Sequence, residues 1–170
     1  MPKAIVIFVR TVDLINRTVG KATMYLIFVM MGILLYSSIS RTFFDGSDLW
    51  IVEMAQFTMA AFYLLGGGYS MQQNAHVRVD VFYSRWSPRK RAFSDSITAF
   101  CLVFYLILLL YGAISSTQYA LEYNQKNYSA WGPPLAPIKI IMTVGITLML
   151  LQAIATFFKD LARARGVELS

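Results

Sequence analysis

The sequence predicts an all-α membrane protein: four transmembrane helices, an N-terminal amphipathic interfacial helix, and a short cytoplasmic amphipathic segment between helices two and three. Three observations carry that class. Of 170 residues, 57% are hydrophobic and only 14% charged, whereas soluble domains carry about 25% charged residues. The few charges leave four long gaps, residues 22–40, 54–75, 96–121 and 140–158, free of Asp, Glu, Lys and Arg. The shortest gaps hold 19 residues, and a helix of that length reaches roughly 28 Å, close to the hydrocarbon thickness. Apolar runs such as residues 101–111 do not alternate, which excludes the roughly ten-residue alternating strands of a barrel. The length suits one domain, 1–170.

The same composition removes other classes. Disorder requires low hydrophobicity. A disulfide framework requires paired cysteines, and Cys101 stands alone. His76 is the single histidine, so neither a metal centre nor haem ligation has a ligand set. No cofactor is expected.

Taken in order, Ile5, Phe8, Val9, Val12, Ile15 and Val19 recur at helical spacing, with Arg10, Asp13, Arg17 and Lys21 on another face. That pattern predicts an interfacial amphipathic helix running into the first span, about residues 20–43. Ser38 and Ser40 could mark a cleavage site, but leader and apolar stretch are too long for a signal peptide. The second span, about 50–74, opens on Trp50 and Glu53 and contains Gly66, Gly67 and Gly68. Three glycines cost about 1 kcal/mol each against alanine in an ordinary helix. In lipid, small residues let helices approach closely, so packing is the expected use, with Gly112 and Ser116 offering the same in span three.

Residues 76–91 (HVRVDVFYSRWSPRKR) form the most distinctive stretch. Read as a helix, it turns Val77, Val81 and Phe82 to the membrane and sets His76 one turn from Asp80. It serves either as a basic interfacial anchor or as a docking element. Ser87 and Pro88 supply an N-cap and a first-position proline for span three, about 88–120. Residues 132–137 (GPPLAP) break the chain before span four, about 136–158, and Pro137 fits only a first turn. Glu122 and Lys139 flank this connection and could pair. Aromatic residues gather near the boundaries, Trp50, Trp86 and Trp131 among them, as an interfacial belt does.

Twelve of fifteen basic residues fall in the N-terminal segment, the 76–91 connection and the C-terminal tail. The positive-inside rule therefore puts both termini and that connection in the cytoplasm. The net charge of +6 is then an orientation signal. Basic residues split among three membrane-flanking segments argue against nucleic acid as a partner and for membrane lipid.

No charged residue or histidine lies mid-span, where proton relays and ion pathways place them. Glu53 comes nearest, either as an interfacial carboxylate that pairs locally or as a contact to a partner or another helix. An intramembrane protease lacks a base beside any nucleophile, and a proton-coupled drug exporter lacks its mid-span carboxylate. The chain reads as a membrane subunit and not an enzyme.

The succession of basic N-terminus, Trp50 and Glu53, Gly66 to Gly68, HVRVD at 76–80, SPRKR, GPPLAPIK at 132–139 and Gln152 resembles the small membrane subunit, the DctQ-like component, of tripartite ATP-independent periplasmic (TRAP) transporters. The resemblance spans roughly residues 10–160, and HVRVD after a glycine-bearing second span is its most specific element. It implies a bacterial inner-membrane, multi-pass, non-catalytic permease subunit in a sodium-coupled system for small organic anions. Its implied partners are a large multi-span elevator subunit, whose scaffold it would pack against and stabilise, and a periplasmic substrate-binding protein reached through the complex. On this reading Trp50, Glu53, His76, Arg78 and Asp80 are candidate partner-interface residues, and none matches a substrate or sodium ligand. The alternative from another class is a self-sufficient homo-oligomeric four-helix protein, either a small transporter or an electron-transfer anchor.

Overall fold

The structure, a computed structural model, describes residues 3–43, 49–73 and 88–164, with side chains over 4–43, 49–73 and 98–159. Five helices account for most of them: α1 (Lys3–Met24), α2 (Leu26–Phe43), α3 (Trp50–Gln72), α4 (Pro88–Glu122) and α5 (Ala136–Ala164). Pro88 opens α4 and Pro137 falls in the first turn of α5, where a missing N–H costs nothing. Most of the 76–91 segment, including His76, Arg78 and Asp80, lies outside the described residues.

Among the described residues, three stretches are long and apolar enough to cross a membrane: Ala4–Phe43, Thr98–Glu122 and Ala136–Lys159. Helix α3 is not among them, because Glu53, Gln56 and its glycines dilute its apolar content. It compensates with neighbours, packing against α1, α2 and α5.

The neighbour relations describe an open row. Helix α2 packs on α3, α3 on α5, and α5 on α4, while α1 reaches both α3 and α5. No extended contact among the described residues joins α2 to α4 or α5. Two small cores hold the row: Val9, Val12 and Ala155 between α1 and α5, and Met71, Leu106 and Ala153 where α3, α4 and α5 meet.

Glycines set the spacing inside the row. A methyl group on Gly145 would stand 2.6 Å from the Leu64 carbonyl oxygen, and one on Gly67 would stand 2.7 Å from the Met149 sulfur. Gly68 lies against the Asn16 side chain and Gly20 against Tyr69, again with no room for a Cβ. The helix-packing use of Gly67 and Gly68 therefore holds. Gly112 departs from expectation, since nothing lies within 4 Å of where its Cβ would be. Cys101 is exposed on α4.

Helices α1 and α2 are separated by one residue. The Tyr25 N–H bonds the Ala22 carbonyl at 3.2 Å and the Phe28 N–H bonds that of Tyr25 at 3.1 Å, three-residue bonds that tighten the turn locally. Helix α1 also differs from a simple two-faced helix. Val9 and Val12 are buried as the apolar spacing predicts, but so is Asn16, while Ile7, Leu14 and Ile15 are exposed. The reason is that α5 supplies polar partners along the same face.

The connection between α4 and α5 is a compact turn. Asn124 (φ 46°) and Gly132 (φ 60°) take the left-handed conformation, which a glycine adopts without steric cost. The Leu135 N–H bonds the Gln125 carbonyl at 2.9 Å and that of Asn127 bonds the Pro133 carbonyl at 2.9 Å.

Candidate functional site

The densest polar constellation in the described structure joins α1 to α5. Asp13 and Asn16 sit three residues apart and share a helix face. Gln152 lies opposite them with no exposed surface. The Asn16 Nδ2 donates to Gln152 Oε1 at 2.9 Å, and Gln152 Nε2 donates onward to Asp13 Oδ1 at 3.0 Å. Asp13 Oδ2 meets Lys159 Nζ at 2.6 Å, with both side chains a little over one fifth exposed. Asn16 Nδ2 also reaches the Val12 carbonyl at 3.2 Å, while its Oδ1, packed on Gly68, has no donor among the described residues.

This chain of four side chains can fasten one helix to another at membrane depth. Gln152 lies seven residues inside the Lys159 end of an apolar stretch, roughly 10 Å along the axis. At that depth an unpaired amide is costly, so each partner is held by the other. Sequence reasoning missed the assembly. Its signals were Asn16 within the apolar spacing of α1 and Gln152 within an otherwise apolar run.

The seam between α4 and α5 carries a second, smaller network. Thr117 and Thr143 lie 2.9 Å apart and bridge α4 to α5. Lys139 Nζ donates to Gln125 Oε1 at 2.6 Å and to the Ser116 carbonyl at 3.3 Å. The expected pairing of Lys139 with Glu122 is thus replaced, because the turn brings the Gln125 amide over the first turn of α5.

Of the expected interface residues, Trp50 and Glu53 are described. Trp50 is partly exposed and its ring lies 6.0 Å from that of Tyr36 on α2. Glu53 is buried within the chain itself at 7% exposure, and its Oε2 has no hydrogen-bond partner among the described residues. The structure brings neither residue to the α1–α5 network.

The family model of the DctQ component of tripartite ATP-independent periplasmic transporters matches residues 30–163. The match starts inside α2 and runs almost to the end of α5, so it takes in Gln152 and Lys159 but not Asp13 and Asn16. No curated protein matches the chain. A match over most of the length, on a chain whose long apolar helices suit a bilayer, identifies an integral membrane protein of the DctQ family, a component of TRAP transporters that works with a large membrane subunit and a substrate-binding protein.

Proposed function

We propose that this chain is the non-catalytic small permease subunit of a sodium-coupled TRAP transporter for small organic anions, and that it packs against and stabilises the scaffold of the large elevator subunit. Helices α2 to α5 are its four spans in a bacterial inner membrane, with both termini and the 76–91 connection in the cytoplasm. Trp50, Glu53, His76, Arg78 and Asp80 contribute to assembly, Glu53 by setting the start of α3 from within.

The observation that carries this reading is the open row. Its polar groups at depth, Asn16, Gln152, Thr117 and Thr143, tie helix to helix, and its outer helices keep broad uncovered sides. Such a shape gives a second protein a fixed wall to move against. The family membership supports the same role.

The test is reconstitution. The tagged chain, expressed with the large subunit, should co-purify with it, and uptake into proteoliposomes under a sodium gradient should require both membrane subunits and the binding protein. Uptake by this chain alone would overturn the proposal. So would a stable homo-oligomer that ignores the large subunit.

A further inference from the structure

Helix α4 ends the row, and its side turned away from α5 is chemically unlike a lipid-facing surface. Leu106, Ala113 and Ala120 are its buried positions, spaced seven apart, and they mark the side toward α5. Five residues beyond Leu106, about 140° around a helix of 3.6 residues per turn, stands Tyr111. It belongs to a stripe of Phe100, Phe104, Ile107, Tyr111, Ser115 and Gln118, at helical spacing. Every member is exposed, Tyr111 by 77%.

Depth makes this stripe unusual. The apolar stretch runs from Thr98 to Glu122, so Tyr111 is within about one residue of its middle, and Ser115 and Gln118 follow roughly 6 and 10 Å along the axis. Tyrosine facing lipid belongs at the membrane interfaces, not at the centre. None of the hydrogen bonds among the described residues engages the side chains of Tyr111, Ser115 or Gln118. Hydrocarbon offers no partner to a hydroxyl or an amide. A helix of another protein does, and polar groups of this kind hold membrane helices together. Beside Tyr111, Gly112 leaves open space where a second backbone can come close. The opposite end of the row is apolar over its middle: from Ile27 to Leu35 the large exposed side chains of α2 are Ile27, Phe28, Val29, Met31, Leu34 and Leu35, while the exposed Tyr25 and Tyr36 flank that run and the Tyr36 ring lies 6.0 Å from that of Trp50 within the chain.

We infer that the Phe100–Gln118 side of α4 is the docking surface for a transmembrane helix of the large TRAP subunit, and that α2 faces lipid. The inference rests on the small-subunit reading above and adds which side of the chain meets the partner. The docked helix carries hydrogen-bonding groups near its middle, opposite Tyr111 and Gln118. It carries a basic group near the end that meets Glu122, which is exposed on the same line.

The experiment places a photo-reactive phenylalanine at Tyr111 or at Leu35 in the co-expressed complex. It also compares Tyr111→Leu with Gln118→Leu against Leu34→Tyr for recovery of the large subunit on the tagged chain. Cross-linking to the large subunit from position 111 and not from position 35 is expected. A fivefold or greater drop in recovery is expected for the Tyr111→Leu, Gln118→Leu double variant, with membrane insertion retained. Cross-linking from position 35 alone, cross-linking of position 111 to a second copy of this chain, or unchanged recovery in the double variant would each overturn the inference. Failure of the unsubstituted chain to recover the large subunit would overturn the small-subunit reading itself, and the wild-type arm reports that separately.

Discussion

Gln152 acts as both acceptor and donor in one buried position, and its neighbours inherit the consequences of its loss. Gln152→Leu leaves Asn16 with its bonds to backbone carbonyls and Asp13 with Lys159, so the expected cost is about 1–2 kcal/mol, not a collapse of the fold. A double-mutant cycle with Asn16→Leu, read as thermal unfolding in detergent, should show coupling of about 0.5–1.5 kcal/mol. Additive losses would mean that the two amides do not bond. The ion pair has its own signature: Asp13→Lys should lower the melting temperature, and adding Lys159→Asp should restore part of it. Glu53→Ala should weaken recovery of the large subunit or sodium-driven uptake while insertion into the membrane persists; normal recovery and uptake would assign Glu53 to the interior of this chain alone. The individual polar residues were legible in the sequence as exceptions to an apolar pattern. Their partnership was not, because Asn16 and Gln152 are 136 residues apart and periodicity carries no information about which helix lies opposite.

Among the elements, the long apolar helices follow from the charge-free gaps, and α4 begins at Pro88, where the sequence places its first position. Helix α1 was legible as a helix by its period, yet the surface it meets was not. An apolar face is equally satisfied by lipid or by another helix, and the choice made by Val9 and Val12 depends on the small Ala155 opposite. The glycines divide in the same way, since sequence gives their positions but not what faces them. Gly145→Ala pushes a methyl group onto the Leu64 backbone, and should cost about 1–3 kcal/mol of stability as overpacking does. Gly32→Ala meets nothing within 4 Å, and should be neutral or stabilising by up to about 1 kcal/mol through helix propensity. Thermal melts of the two variants side by side check both signs, and equal effects would contradict the packing of α3 on α5.

For the whole molecule, the membrane class was legible in the composition, whereas the open row is a property of neighbours that composition does not encode; the orientation is a proposal from the positive-inside rule. Orientation is directly testable in intact cells with a membrane-impermeant thiol reagent, after Cys101→Ser removes the native cysteine. A cysteine at Asn127 should label, and cysteines at Lys3 or Arg89 should label only after the membrane is opened. Labelling of Arg89→Cys in sealed cells would reverse the topology. The link between Asp13 and Gln152 also has a consequence for biosynthesis. Its two halves are 139 residues apart, so at roughly 5–20 residues per second the first helix waits about 7–28 seconds before its partner has been made. Until then its apolar side has only the membrane surface or α3 to cover it. Docking of α1 onto α5 therefore follows the synthesis of α2, α3 and α4, and the contact closes over helices that are already made.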